Sequence, residues 1–159
     1  MTLFLNKKSN LIIIFFILGV ILSLGFDPYN IPFTSILSVG IFFLLNDFIY
    51  FNHNKNYYLF FLTGISFGFS FFLSSMYWVT NSVLVYPELY YLIPIPLIGL
   101  PLILSIFYGV MQLFNSIFWS PSVFRIIYFS IFWTVFEMIR GSFFSGLPWN
   151  VIAYSWTWS

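Results

Sequence analysis

The sequence predicts an all-α fold: a polytopic transmembrane helical bundle of about five helices with a cytoplasmic N-terminus. Three observations predict it. Hydrophobic residues make up 61% of the 159 and charged residues only 6%, at a mean hydropathy of +0.99. A soluble domain carries about 25% charged residues, because its surface faces water. Five basic and four acidic side chains cannot clothe a globule of this size, whereas a hydrocarbon solvent removes that demand. The apolar residues also fall into long runs separated by short polar or proline-bearing stretches.

The first run, Leu11 to Leu24, follows Lys7 and Lys8 in the manner of a signal peptide. Gly25-Phe26-Asp27-Pro28-Tyr29 offers no small-x-small cleavage site, so an uncleaved first helix over about 11–25 is expected. Asp27 to Asn30 is a turn cluster, and Pro32 suits the first turn of a second helix over about 32–51. Asn52-His53-Asn54-Lys55-Asn56 is the most polar stretch and reads as a loop. Asp47, near the end of the second helix, is expected to snorkel or pair with Lys55.

A third helix is expected over about 57–79. Gly64, Gly68, Ser66 and Ser70 put small residues at i and i+4, the pattern that lets membrane helices approach closely. The fourth, over about 91–119, contains Pro94, Pro96 and Pro101, which break the backbone ladder near its start. Its regular part is therefore expected close to Pro101. Ser120-Pro121-Ser122 turns the chain into a fifth helix over about 123–140, followed by an outer loop over 141–150. The whole of 1–159 reads as one membrane region. With the N-terminus inside, Lys7, Lys8, Lys55 and Arg125 fall on the cytoplasmic side, as the positive-inside rule favours.

Arg140 is the exception, and topology leaves it unexplained. Glu137 lies three residues before it, on the same helical face, where the two charges can pair. The alternative is that Arg140 meets an anionic group at the outer leaflet, since guanidinium binds phosphate through a planar fork. Gly141, Gly146 and Pro148 shape the following loop, and Trp149 closes it. The chemistry excluded is equally clear. There is no cysteine, hence no thiolate nucleophile, disulfide or thiolate metal site. One histidine and four scattered carboxylates hold no metal, and the sequence calls for no cofactor. A net charge of +1 gives no sign of a nucleic-acid partner.

Glu137-Met138-Ile139-Arg140-Gly141-Ser142-Phe143-Phe144-Ser145-Gly146-Leu147-Pro148-Trp149, continued by Ala153-Tyr154-Ser155, resembles the E-x-x-R-G…G-(F/L)-P-W…(G/A)-Y-S stretch of apolipoprotein N-acyltransferases. Gly25-Phe26-Asp27-Pro28-Tyr29 with Pro32 resembles that family's first outer loop. Ser74-Ser75-Met76-Tyr77-Trp78-Val79 with Ser82 resembles the element ending its third helix. The resemblance implies a multi-pass protein of the bacterial inner membrane that takes part in transfer of an acyl chain from phospholipid to a lipoprotein's N-terminal cysteine.

Its implied partners are membrane phospholipid and the lipoprotein N-terminus, with Arg140, Trp149, Glu137, Tyr77 and Trp78 as candidate lipid-binding residues. In that family a nitrilase-like domain with a Glu-Lys-Cys triad carries the chemistry. This sequence has no cysteine for such a triad and no such domain, so no catalytic residue is expected within it. A truncated or split form is expected, inactive alone, with a separate nitrilase-like chain as the partner that would complete it. The competing reading is a small non-enzymatic membrane protein, such as a transporter subunit or assembly partner.

Overall fold

In the computed structural model, which describes residues 5–143 and 150–156, five long helices follow one another. They are α1 (Lys8–Ser23), α2 (Phe33–Asn52), α3 (Tyr57–Ser75), α4 (Leu100–Phe118) and α5 (Phe124–Ser142). Among the described residues there is no strand, and the molecule is an all-α membrane helical bundle. By length and composition, α2, α3 and the continuous stretch Pro87–Phe118 are each apolar enough to cross a membrane. The 16 residues of α1 rise only about 24 Å, short of a hydrocarbon core of about 30 Å.

One boundary differs from the sequence expectation for a physical reason. The third helix ends at Ser75 because Met76 leaves the helical region (φ −118°, ψ 10°), and Tyr77–Thr80 then tightens into a 3₁₀ turn. The stretch before α4 is, as its prolines lead one to expect, not regular helix. Pro87–Leu92 is 3₁₀ and Ile95–Gly99 a π-helical turn, since Pro94, Pro96 and Pro101 cannot donate to the ladder. Regular helix begins at Leu100.

The bundle is organised around α3. Toward α4, the Gly64/Gly68 face finds its mate: a methyl at Gly64 would strike the Tyr108 carbonyl, and one at Gly68 would crowd Tyr108 and Ser105. Toward α1, the space a side chain at Gly19 would need is filled by Ser70 Oγ and the Phe67 carbonyl. At that contact Ser66 and Ser70 donate to the carbonyls of Ile12 and Phe16 at 2.8 and 2.7 Å. Hydrophobic burial does not drive such association in lipid, so close packing and interhelical hydrogen bonds must.

One aromatic ring from each helix meets at the centre. Phe42 of α2 lies 4.9 Å from Phe15 of α1, 4.7 Å from Phe67 of α3 and 5.6 Å from Trp133 of α5. Tyr108 of α4 closes the group, 5.6 Å from Trp133. Below this layer, Asn46 and Gln112 exchange hydrogen bonds of 3.1 and 2.7 Å, and Asn115 donates to Gln112 at 3.3 Å. All three amides are fully buried.

The partner expected for Asp47 is corrected. Asp47 Oδ1 lies 3.2 Å from Arg125 Nε and accepts from Trp119 Nε1 at 2.9 Å. Lys55 donates instead to the Ile117 carbonyl at 2.9 Å, covering an open carbonyl at the end of α4. The end of α2 therefore faces the α4–α5 turn more directly than its own loop.

Gly64→Ala should push α3 and α4 apart and cost about 1–3 kcal/mol, the range for overpacking a filled site. Gly40→Ala, where a methyl meets nothing within 4 Å, should be neutral or slightly stabilising. Thermal unfolding of both variants in one detergent checks this; equal midpoints would remove α3–α4 contact as the organising interface.

Candidate functional site

Three segments far apart in sequence converge at the end of the bundle opposite the Asp47–Arg125 pair. The α1–α2 loop brings Phe26, Asp27, Asn30 and Pro32. The end of α3 and its 3₁₀ turn bring Ser75, Tyr77 and Trp78. The stretch after α5 brings Asn150, Tyr154 and Ser155. They enclose a cleft of about 700 Å³, within the range of small-ligand sites.

Each wall is positioned locally. Gly25 sits where any side chain would meet Ser35 Oγ, so the α1–α2 loop packs directly on the start of α2. Asn30 takes a left-handed conformation (φ 53°), which asparagine tolerates, and its Nδ2 donates to Asp27 Oδ1 at 2.6 Å. Tyr77 and Trp78 are each 52% exposed on the second wall. Ile152–Trp156 forms a 3₁₀ turn that carries Tyr154 and Ser155.

Glu137 and Arg140 stand behind that third wall, near the end of α5. Both are buried, at 9% and 3% exposure. Glu137 Oε1 accepts from the backbone N–H of Ile152 at 3.1 Å, fastening the start of the 3₁₀ turn to α5. The Arg140 guanidinium lies 5.1 Å from the centre of the Phe72 ring, a cation–π distance, on the same helix as Ser75. A narrow groove between α4 and α5, lined by Tyr108, Met111, Trp133 and Phe136, reaches both charges.

Of the residues singled out in the sequence, Tyr77 and Trp78 thus line the cleft, while Glu137 and Arg140 lie behind its third wall. Gly141 sits in the last turn of α5. Trp149, Gly146 and Pro148 lie outside the described residues. Ser75, Asn30, Asn150 and Tyr154 border the cleft too, and sequence reasoning passed over them as site residues. For Asn30, Tyr154 and Ser155 the signal was present in the turn cluster and the A-Y-S element. Nothing marked Phe72 as the partner of Arg140. No group of three or more metal-ligating side chains occurs among the described residues.

The family profile described as the apolipoprotein N-acyltransferase N-terminal domain matches residues 18–159. Among curated proteins, the apolipoprotein N-acyltransferase of Rhizobium leguminosarum bv. trifolii is 36% identical over 95 residues, 59% of this chain. That of Sinorhizobium fredii is 33% identical over 93 residues, or 58% of the chain, and that of Brucella melitensis 29% over the same length. In each case the aligned stretch spans 18% of the relative's own length. No solved structure matches the chain.

Removing the acceptor of Ile152 should loosen the third wall. Glu137→Ala leaves that amide unpaired at a cost of about 1–3 kcal/mol, so its hydrogen exchange should speed roughly 5- to 150-fold. Glu137→Gln keeps an oxygen acceptor and should retain most of the protection. Unchanged exchange in the alanine variant would show that the bond does not hold the turn.

Proposed function

This chain belongs to the apolipoprotein N-acyltransferase family through its N-terminal domain, and on that footing we propose that its cleft receives the lipid substrates of lipoprotein N-acylation. The observation that carries the proposal is the convergence of three family-like segments on one cleft. A polar floor of Ser75, Asn150 and Ser155 under an aromatic rim of Tyr77, Trp78 and Tyr154 suits a molecule with a headgroup and an apolar body.

In this reading the chain is a multi-pass protein of the bacterial inner membrane with its N-terminus in the cytoplasm. The helices cross five times and the cleft opens at the outer face. Lys55 and Arg125 then sit at the cytoplasmic end, where basic residues favour staying. Tyr77 and Trp78 touch lipid directly, and Trp149 is a further lipid contact in this reading. Glu137 acts on the substrate through the wall it fastens, and Arg140, buried beside it, through Phe72 on the helix that carries Ser75.

Acyl transfer itself needs an activated nucleophile. These 159 residues contain no cysteine, so a Glu-Lys-Cys site of the kind this family uses must lie in residues outside them. The division of labour is then binding and orientation here, and bond-making in a nitrilase-like partner. The non-enzymatic reading has one feature to cite, the buried Asn46–Gln112–Asn115 cluster. Those amides bond chiefly to one another across two helices and open no polar path, which favours a structural role for them.

The chain alone should not acylate a diacylated lipopeptide. Combined with a family nitrilase-like domain bearing the triad, it should support acylation, and Trp78→Ala should lower kcat/KM for the lipopeptide about tenfold or more while membrane insertion is kept. Arg140→Ala should do the same. Wild-type acylation by both variants would remove the cleft and its third wall from substrate use.

A further inference from the structure

We infer that Asp27 is the residue by which the cleft recognises a primary ammonium group, a reading that rests on the cleft being the substrate site. Among the described residues bordering the cleft, Asp27 is the one charged side chain. Arg140, the basic residue nearest in sequence to the third wall, is buried against Phe72 and does not line it. The described walls therefore present fixed negative charge, which suits a cation.

The geometry around Asp27 is that of a half-used acceptor. Its Oδ1 takes the 2.6 Å hydrogen bond from Asn30, whose left-handed backbone folds the amide back toward the carboxylate. No described residue donates to Oδ2, and the side chain is exposed to the cleft. Tyr77 and Trp78, half-exposed on the same cleft, offer ring faces that attract cations. An ammonium group meets both needs at once: it has three N–H donors for the carboxylate and neighbouring hydroxyls, and a positive charge for the rings. Two sources carry this group, the ethanolamine headgroup of a phospholipid and the N-terminal α-amine of a lipopeptide.

The test uses the full chain in phosphatidylglycerol nanodiscs, which bring no amine of their own. Tryptophan fluorescence follows titration with a diacylglyceryl-cysteinyl peptide and with its N-acetylated form, then with phosphatidylethanolamine and its N-acylated form. The wild-type chain should bind the free-amine member of at least one pair about tenfold tighter, as expected for a charge-assisted hydrogen bond. Asp27→Asn, which keeps an oxygen for Asn30, should erase that preference and leave affinity for the blocked ligand unchanged. Asp27→Glu should restore part of it.

Loss confined to the peptide pair identifies the lipopeptide amine, and loss confined to the phospholipid pair identifies the headgroup; either supports the inference. A wild-type chain without preference, or a preference that survives in Asp27→Asn, overturns the role of Asp27 while leaving the cleft as a substrate site. Binding of neither ligand in either form overturns the substrate-site reading, and this inference with it.

Discussion

The close approach of α3 to two neighbours is the constraint on which the rest of the molecule depends. In hydrocarbon, helices gain nothing from hiding apolar surface, and backbone groups left unpaired have no water to turn to. Gly19, Gly64 and Gly68 remove side chains where backbone must meet backbone or a ring. Ser66 and Ser70 use the resulting proximity to bond carbonyls of α1. A larger residue at any of these glycines would displace α1 or α4 from α3. The layer of five rings around Phe42 would then lose its register, because each ring comes from a different helix.

That packing decides what stands at each end. At one end, Asp47, Arg125, Trp119 and Lys55 tie the end of α2 and the following loop to the α4–α5 turn. At the other, the α1–α2 loop, the 3₁₀ turn after α3 and the Ile152–Trp156 turn share one cleft. The two ends are chemically unlike. The first pairs Asp47 with Arg125, while the second leaves Asp27 and the rings of Tyr77 and Trp78 exposed on the cleft. Glu137 connects core to cleft by holding the Ile152 amide from the last turns of α5.

Much of this was legible in the residues, and the parts that were not have physical reasons. Composition together with the long apolar runs points to the all-α membrane bundle, and the Gly64/Gly68 spacing announces a packing face because a small-residue repeat has few other uses in lipid. The irregular lead-in to α4 follows from Pro94, Pro96 and Pro101, which act locally. What could not be read was pairing between distant positions. Asp47 meets Arg125 rather than nearby Lys55, and Asn46 meets Gln112, because helix packing sets those distances and sequence separation does not. The same limit applied to the cleft: its three segments were recognisable one at a time, but their convergence depends on the whole bundle. Arg140 shows the limit most sharply, since its burial against Phe72 has no counterpart in the local pattern.

The three segments share one cleft, and the central proposal is that this cleft lies at the outer face. The chain has no cysteine, so single cysteines can report on it cleanly. With Asn30→Cys, Tyr77→Cys and Tyr154→Cys placed one at a time, a membrane-impermeant maleimide added to spheroplasts should label all three. Asn54→Cys and Ser122→Cys should label only after the membrane is opened. Labelling of one of the first three only from inside, or of either of the last two from outside, would contradict the shared face and the five-crossing topology together.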